Sequence, residues 1–180
     1  MATKKPEGEV IEKVEALLTE YNNFQLAVLV RCGLQAPKKP QNALSAPGKA
    51  ALKKLGKTFK DAGLNIGKVI TPPHNWGVET GSSLLSGNMN DDVVRFETSH
   101  NLRYGGTEAE MAIARCIGTR MMSAEGPIVF VGHGGPLDHA MERLVHPGIT
   151  TPKVETYLEP GGAAIAVFNH IGNCVEIVHL

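Results

Sequence analysis

The sequence predicts an α/β fold: a three-layer sandwich with a mostly parallel central sheet and helices on both faces. Three observations carry that reading. The run Phe24-Gln25-Leu26-Ala27-Val28-Leu29-Val30 lacks the alternation of a half-solvated strand and reads as a buried parallel strand. A second run, Pro127-Ile128-Val129-Phe130-Val131, is the clearest strand of the chain. Helical and strand patterns alternate along the sequence, the order that places helices over both faces of a sheet. The 180 residues match one domain in size, with 42% hydrophobic residues and no apolar stretch near the roughly 20 needed to cross a bilayer.

Residues 8–21 place Ile11, Val14, Leu17 and Leu18 on one helical face. They form an N-terminal helical extension, residues 1–23, ahead of a domain spanning 24–180. After the strand at 24–30, Pro37 and Pro40 punctuate a loop that runs to Leu44. Ser45 can cap a helix over 46–62 that ends at Gly63. Lys68-Val69-Ile70 reads as a short strand, and Thr71-Pro72-Pro73 turns the chain into a helix near 75–86. Residues 88–106 are polar and read as irregular. Thr107-x-x-Glu110 is a capping-box pattern for a helix to about Ser123, with Met111, Ala114, Ile117 and Met121 inward. Pro136 opens a further helix to Val145, and 163–168 with 174–179 form a hairpin.

Charge and cysteine content narrow the environment. Residues 1–90 hold 12 Lys and Arg against 7 Asp and Glu, and residues 91–180 hold 6 against 11. Lys49, Lys53, Lys57 and Lys60 recur at helical spacing with Lys54 beside them, a solvated helix face or a surface for an acidic partner. The lysines carry no interleaved aromatic pattern and no nucleic-acid motif, so nucleic acid is not an expected partner. The N-terminus has no apolar core of a secretory signal. Cys32, Cys116 and Cys174 are odd in number and lack metal-ligand spacing, which predicts a reduced, intracellular, soluble protein without a metal.

Beyond the two clear strands come Arg31-Cys32-Gly33 and Gly132-His133-Gly134-Gly135-Pro136. A strand ending in Arg-X-Gly, with a second ending in this His-Gly-Gly loop, resembles the histidine phosphatase superfamily, the phosphoglycerate-mutase-like fold. Leu44-Ser45 with Gly48, Ala51 and Leu55-Gly56, then Val69-Ile70-Thr71-Pro72-Pro73 with Glu79-Thr80, and finally Gly161-Gly162-Ala163-Ala164-Ile165, resemble further segments of that family in the same order. The short length is most similar to the small phosphohistidine phosphatase branch. The resemblance covers residues 24–180 and implies a phosphate pocket of two arginines and two histidines at the carboxyl ends of the strands.

Carried over residue by residue, the first arginine falls on Arg31 and the second histidine on His133. The nucleophile position is Cys32, and the second arginine position is Trp76. Glu97 and Glu108 are candidates for the acid that some branches carry. Phosphoryl transfer needs an aligned nucleophile and fixed positive charge on the phosphate oxygens, so these two changes imply a degenerate site. Cys32 reads either as a thiolate favoured by Arg31 or as a buried packing residue. Arg31, Gly134, Gly135 and His74 are the candidate phosphate-binding residues, with weak phosphate or sulfate affinity and no cofactor. The expected function is a catalytically degenerate scaffold that binds a protein partner through the N-terminal helix or the lysine-rich helix 46–62, with no membrane association. The alternative is a divergent phosphatase acting on phosphohistidine or a small phosphoester.

Overall fold

The computed structural model describes residues 7–35, 43–88, 95–99, 107–122, 126–144 and 157–180; the side chains of 95 and 107–110 lie outside that description. Among the described residues the helices are α1 Glu7–Glu20, α2 Ala46–Asp61, α3 Asn75–Asn88, α4 Thr107–Met121 and α5 Gly134–Leu144. The strands among them are β1 Gln25–Arg31, β2 Lys68–Thr71, β3 Arg95–Thr98, β4 Ile128–Gly132, β5 Ala163–Phe168 and β6 Cys174–His179. They form one sheet in the order β3-β2-β4-β1-β5-β6. The pairs β1/β4, β2/β4 and β2/β3 are parallel, while β5 runs antiparallel to both β1 and β6. The predicted α/β sandwich, mostly parallel strands and closing hairpin are all present.

Alternation along each strand divides the core in two. Val28, Val30, Val129, Val131, Ile165 and Val167 face Val14, Leu17, Leu52, Phe59 and Leu84 of α1, α2 and α3. Ala27, Leu29, Phe130, Ala164 and Ala166 face Ile113, Ile117, Met121, Leu137 and Met141 of α4 and α5. Among the described residues no helix is long and apolar enough to cross a membrane. The N-terminal helix turns its apolar face onto this same chain: Val10, Val14 and Leu17 are buried, with Ile11, Leu18 and Tyr21 packed beside them. Its spacing of four and three residues is that of a single helical stripe.

The termini of α2 follow from its sequence. The Ser45 hydroxyl accepts from Gly48 N–H at 3.1 Å, closing the first turn. At the other end Gly63 has φ of 82°, donates to Lys60 O, and lets Leu64 N–H reach Phe59 O, both at 2.9 Å. That pair of bonds is a Schellman stop, which needs a residue at ease with positive φ. Helices α2 and α3 then touch through their backbones. A Cβ on Gly56 would lie 1.9 Å from Leu84 O, and one on Gly87 would lie 1.9 Å from Lys53 O. Asn88 closes the crossing, accepting from Ile66 N–H and donating to Gly56 O and Leu64 O at 3.0–3.2 Å.

Three expectations need correction. Residues 95–98 are a strand, β3, inside the stretch read as irregular. Its only apolar residue, Phe96, stays 39% exposed, so hydrophobic pattern could not announce it. Pairing with β2 and the ion pairs of Glu97 with Lys68 (2.7 Å) and Arg120 hold it. Met111 faces out rather than in, since six residues turn a helix by roughly 240° and carry it away from Ile117; Ile113 and Cys116 take the inward place. Helix α5 starts at Gly134, two residues before Pro136. The loop over Pro37–Pro40 and the Thr107–Glu110 capping side chains fall outside the described residues.

The glycine crossing sets a test. Alanine is normally worth about 1 kcal/mol over glycine inside a helix, but at position 56 its methyl meets a carbonyl, and overpacking costs about 1–3 kcal/mol. Gly56→Ala lowers the urea midpoint of unfolding; a raised midpoint would show that α2 and α3 can separate at no cost.

Candidate active site

Parallel pairing of β1 with β4 sets Arg31 opposite Gly132. Both strands therefore end at one level, and the residues just beyond them meet. Cys32 N–H donates to Gly132 O at 2.8 Å, and Gly33 N–H donates to the Thr80 hydroxyl at 3.2 Å. Thr80 donates in turn to Trp76 O at 2.6 Å, tying the start of α3 to the end of β1. Helix α5 follows β4 with a single intervening residue, His133, whose carbonyl accepts from Leu137 N–H at 2.9 Å. His74 stands in the same position ahead of α3, its carbonyl accepting from Val78 N–H at 3.0 Å.

A cleft of about 270 Å³ lies at this level, walled by Arg31, Cys32, Trp76, His133, Gly134 and Pro160, with Leu34 and Gln35 at one side. Of the expected phosphate-binding residues, Arg31 and Gly134 line it. Gly135 and His74 do not; the His74 ring is stacked on the Trp76 indole with centroids 6.2 Å apart. Trp76 is buried and presents its ring to His133 with centroids 3.7 Å apart and planes at 68°. Arg31 is held on three sides. It donates to Leu158 O, its guanidinium lies 5.2 Å from the centre of the Tyr157 ring, and Gly134 backs it closely. A Cβ on Gly134 would come within 2.5 Å of the Arg31 Cζ, so this glycine makes room for the guanidinium.

The protonation states follow from burial. Cys32 is 5% exposed, and burial pushes its thiol up to about 12, against the smaller opposing effects of the Thr80 hydrogen bond and Arg31. The thiolate reading therefore gives way to a neutral, packed thiol. The His133 imidazole is pushed down to about 4, first by burial and then by His74 and Arg31. It is neutral at pH 7. Burial also raises the Asp138 carboxyl, opposed by the Leu158 N–H donor at 3.2 Å and by Arg31.

Several of these partners escape a sequence reading. Leu158 serves through its backbone, accepting from Arg31 and donating to Asp138, and a backbone group leaves no residue-type signal. Thr80 was visible only as part of a family segment, and Tyr157 had no signal. Glu97 is engaged with Lys68 and Arg120 rather than lining the cleft, and the Glu108 side chain lies outside the described residues. Among the described residues no group of three His, Cys, Asp or Glu could hold a metal ion.

No family model and no curated protein matches this chain. Solved structures match at the level of fold. The protein histidine phosphatase SixA complexed with tungstate superposes with a TM-score of 0.68 at 14% identity, covering 86% of this chain and 97% of its own. YhfR of Bacillus stearothermophilus gives 0.61 at 14% identity over 83% and 94%. Phosphoglycerate mutase from Plasmodium falciparum gives 0.60 at 15% identity over 88% and 90%. The chain has the histidine phosphatase fold, with its likeness extending to the small SixA-type structures.

Two measurements test the site's electrostatics. With their thiol pKa values raised, Cys32, Cys116 and Cys174 resist iodoacetamide at pH 8 in the folded protein and react once it is unfolded in urea. Rapid labelling of Cys32 in the native state would mean that its thiol is open to solvent. His133 titrates near 4 in the folded chain and near 6.5 in the unfolded one. The unfolded chain thus takes up the proton first, so this group's contribution is intact above pH 6.5 and is lost as pH falls toward 4. NMR titration of the His133 ring should show this low value, and Trp76→Ala should move it back toward 6.5.

Proposed function

We propose that this chain is a catalytically inert histidine-phosphatase-fold protein that acts as a binding scaffold, a subunit or partner within a larger protein assembly. The observation that carries the reading is the Trp76 ring set against His133, at the position where the resemblance places a second arginine. An indole there fills volume and brings no charge to a phosphoryl group. Beside it, the residue at the nucleophile position is a buried thiol that stays protonated at neutral pH. Losing one electrostatic clamp costs about 10²–10³ in rate by analogy with an oxyanion donor. Losing the nucleophile leaves only what binding supplies. Both losses fall on one site.

A scaffold acts through its outer surface. On α1 the apolar face is spent on the chain's own core, which supports contact through its charged side. On α2 Lys49 pairs with Glu79, Lys54 with Glu7 and Lys57 with Asp61, at 2.5–3.0 Å, with the lysines exposed and Glu7 and Glu79 half-buried. Exposed pairs of this kind contribute little and exchange readily, so an acidic partner can still meet this helix.

The divergent-phosphatase reading keeps one support: the cleft retains Arg31 and His133 together. Turnover separates the two. Purified protein should hydrolyse neither p-nitrophenyl phosphate nor phosphohistidine peptides above a buffer blank. Hydrolysis abolished by Cys32→Ser would overturn the inert reading. Weak hydrolysis gained only in Cys32→His with Trp76→Arg would support it, since the backbone frame would then be intact and the side chains deficient.

A further inference from the structure

Arg31 brings a fixed cation to the cleft, yet its guanidinium is met by the stretch of chain that leads into β5. Leu158 O accepts from Nη1, and the Tyr157 ring covers the guanidinium, its centre 5.2 Å away. The backbone of the same stretch is tied to the backbone of Arg31. Gly161 N–H donates to Arg31 O at 3.2 Å, and Arg31 N–H donates to Gly162 O at 3.0 Å. Asp138 on α5 holds the remaining link, accepting from Leu158 N–H at 3.2 Å. We propose that residues 157–162 are an autoinhibitory strap: they occupy the Arg31 guanidinium in place of an oxyanion, so that closing the strap and binding an anion at Arg31 oppose one another. The proposal rests on the reading of the chain as an inert binder, and it names what regulates that same site.

The strap is built to present that carbonyl. Residues 159–162 form a type II turn: Gly162 N–H donates to Glu159 O at 2.7 Å, Pro160 takes the second position, and Gly161 at the third has φ of 78°. Leu158 is buried in the core on the side of α4 and α5. Its carbonyl and amide are thus held between Arg31 and Asp138. An anion that takes over the guanidinium deprives the Leu158 carbonyl of its donor, and a backbone acceptor removed from water resists that loss. The anion must also displace the Tyr157 ring from the cation. Asp138 lies near enough for Arg31 to favour its ionised form, an internal counter-charge that opposes an incoming phosphate. Tyr157 is the loosest member, 56% exposed, and can be changed without opening the core. Because both events use one guanidinium, their coupling is reciprocal: loosening the strap strengthens the anion, and the bound anion loosens the strap by the same factor.

The experiment uses the full-length protein, ¹⁵N-labelled, with inorganic phosphate as the probe and ionic strength held constant with sodium chloride. Two readouts are followed: the phosphate concentration that half-shifts the Arg31 Nε–H signal, and hydrogen exchange at the Leu158 amide. In the unaltered protein, phosphate should speed Leu158 exchange at least about threefold as the Arg31 signal moves. Tyr157→Ala should lower the half-shift concentration about fivefold, the size of one cation–π contact, while Tyr157→Phe keeps the ring and leaves it unchanged. Asp138→Ala should lower it further than Asp138→Asn, since both remove the charge and only asparagine keeps an acceptor for Leu158 N–H. Melting curves confirm that each variant is folded, and the Tyr157 pair decides the matter if Asp138→Ala is not. Phosphate binding seen only in Tyr157→Ala supports the strap. Leu158 exchange slowed or unmoved by bound phosphate, equal affinities in Tyr157→Ala and Tyr157→Phe, equal affinities in folded Asp138→Ala and Asp138→Asn, or no phosphate binding in any of these proteins each overturns it. Turnover enters none of these readouts, so hydrolysis would defeat the inert reading without deciding the strap, and a failed strap would leave the inert reading standing.

Discussion

Parallel pairing of β1 with β4, with Arg31 directly across from Gly132, is the constraint on which the cleft depends. Strands in this register leave the sheet together, so whatever follows each must share one small volume. On one side that is Cys32, locked by its N–H to Gly132 O; on the other it is His133, the single residue before α5. Ligand sites of open α/β sheets form at this carboxyl edge because loops and helix starts converge there. The close backbone crossing of α2 and α3 holds the third wall, since α3 carries Trp76 at its first turn and Thr80 one turn later.

Within that frame, desolvation outweighs Coulomb attraction. Arg31 is a neighbour of Cys32 and favours its thiolate, yet the buried sulfur stays protonated because excluding water costs the ionised form more than one shared cation returns. The same competition empties His133 of charge, and here Arg31 and His74 act in the same direction as burial. Arg31 itself is partly satisfied by the Leu158 carbonyl and the Tyr157 ring. The outcome is a cleft with the geometry of an anion site and little of its charge.

Element by element, legibility tracked how much of each signal was local. Ser45 and Gly63 marked the ends of α2 because capping uses the side chain or φ of a single residue. The β5/β6 hairpin was equally plain, two apolar runs about a polar turn. By contrast β3 exists through its pairing with β2 and the ion pairs of Glu97, and neither is visible in Arg95-Phe96-Glu97-Thr98 alone. The inward face of α4 differs from the expected one at Met111 because packing against β4 and α5, which the local pattern does not contain, sets the helical phase.

For the site, sequence by itself determined which residue types end the two central strands, and hence that Arg31, Cys32 and His133 come together while Trp76 stands where a charge would be expected. Those are consequences of strand order and chain position. Tertiary structure alone decided their chemical states: that Cys32 is protonated, that His133 is neutral beneath an indole, and that Arg31 answers to a backbone carbonyl 127 residues away. The reason is physical. Identity and order travel along the chain, whereas pKa values and hydrogen-bond partners depend on how much water is excluded and on which distant groups replace it.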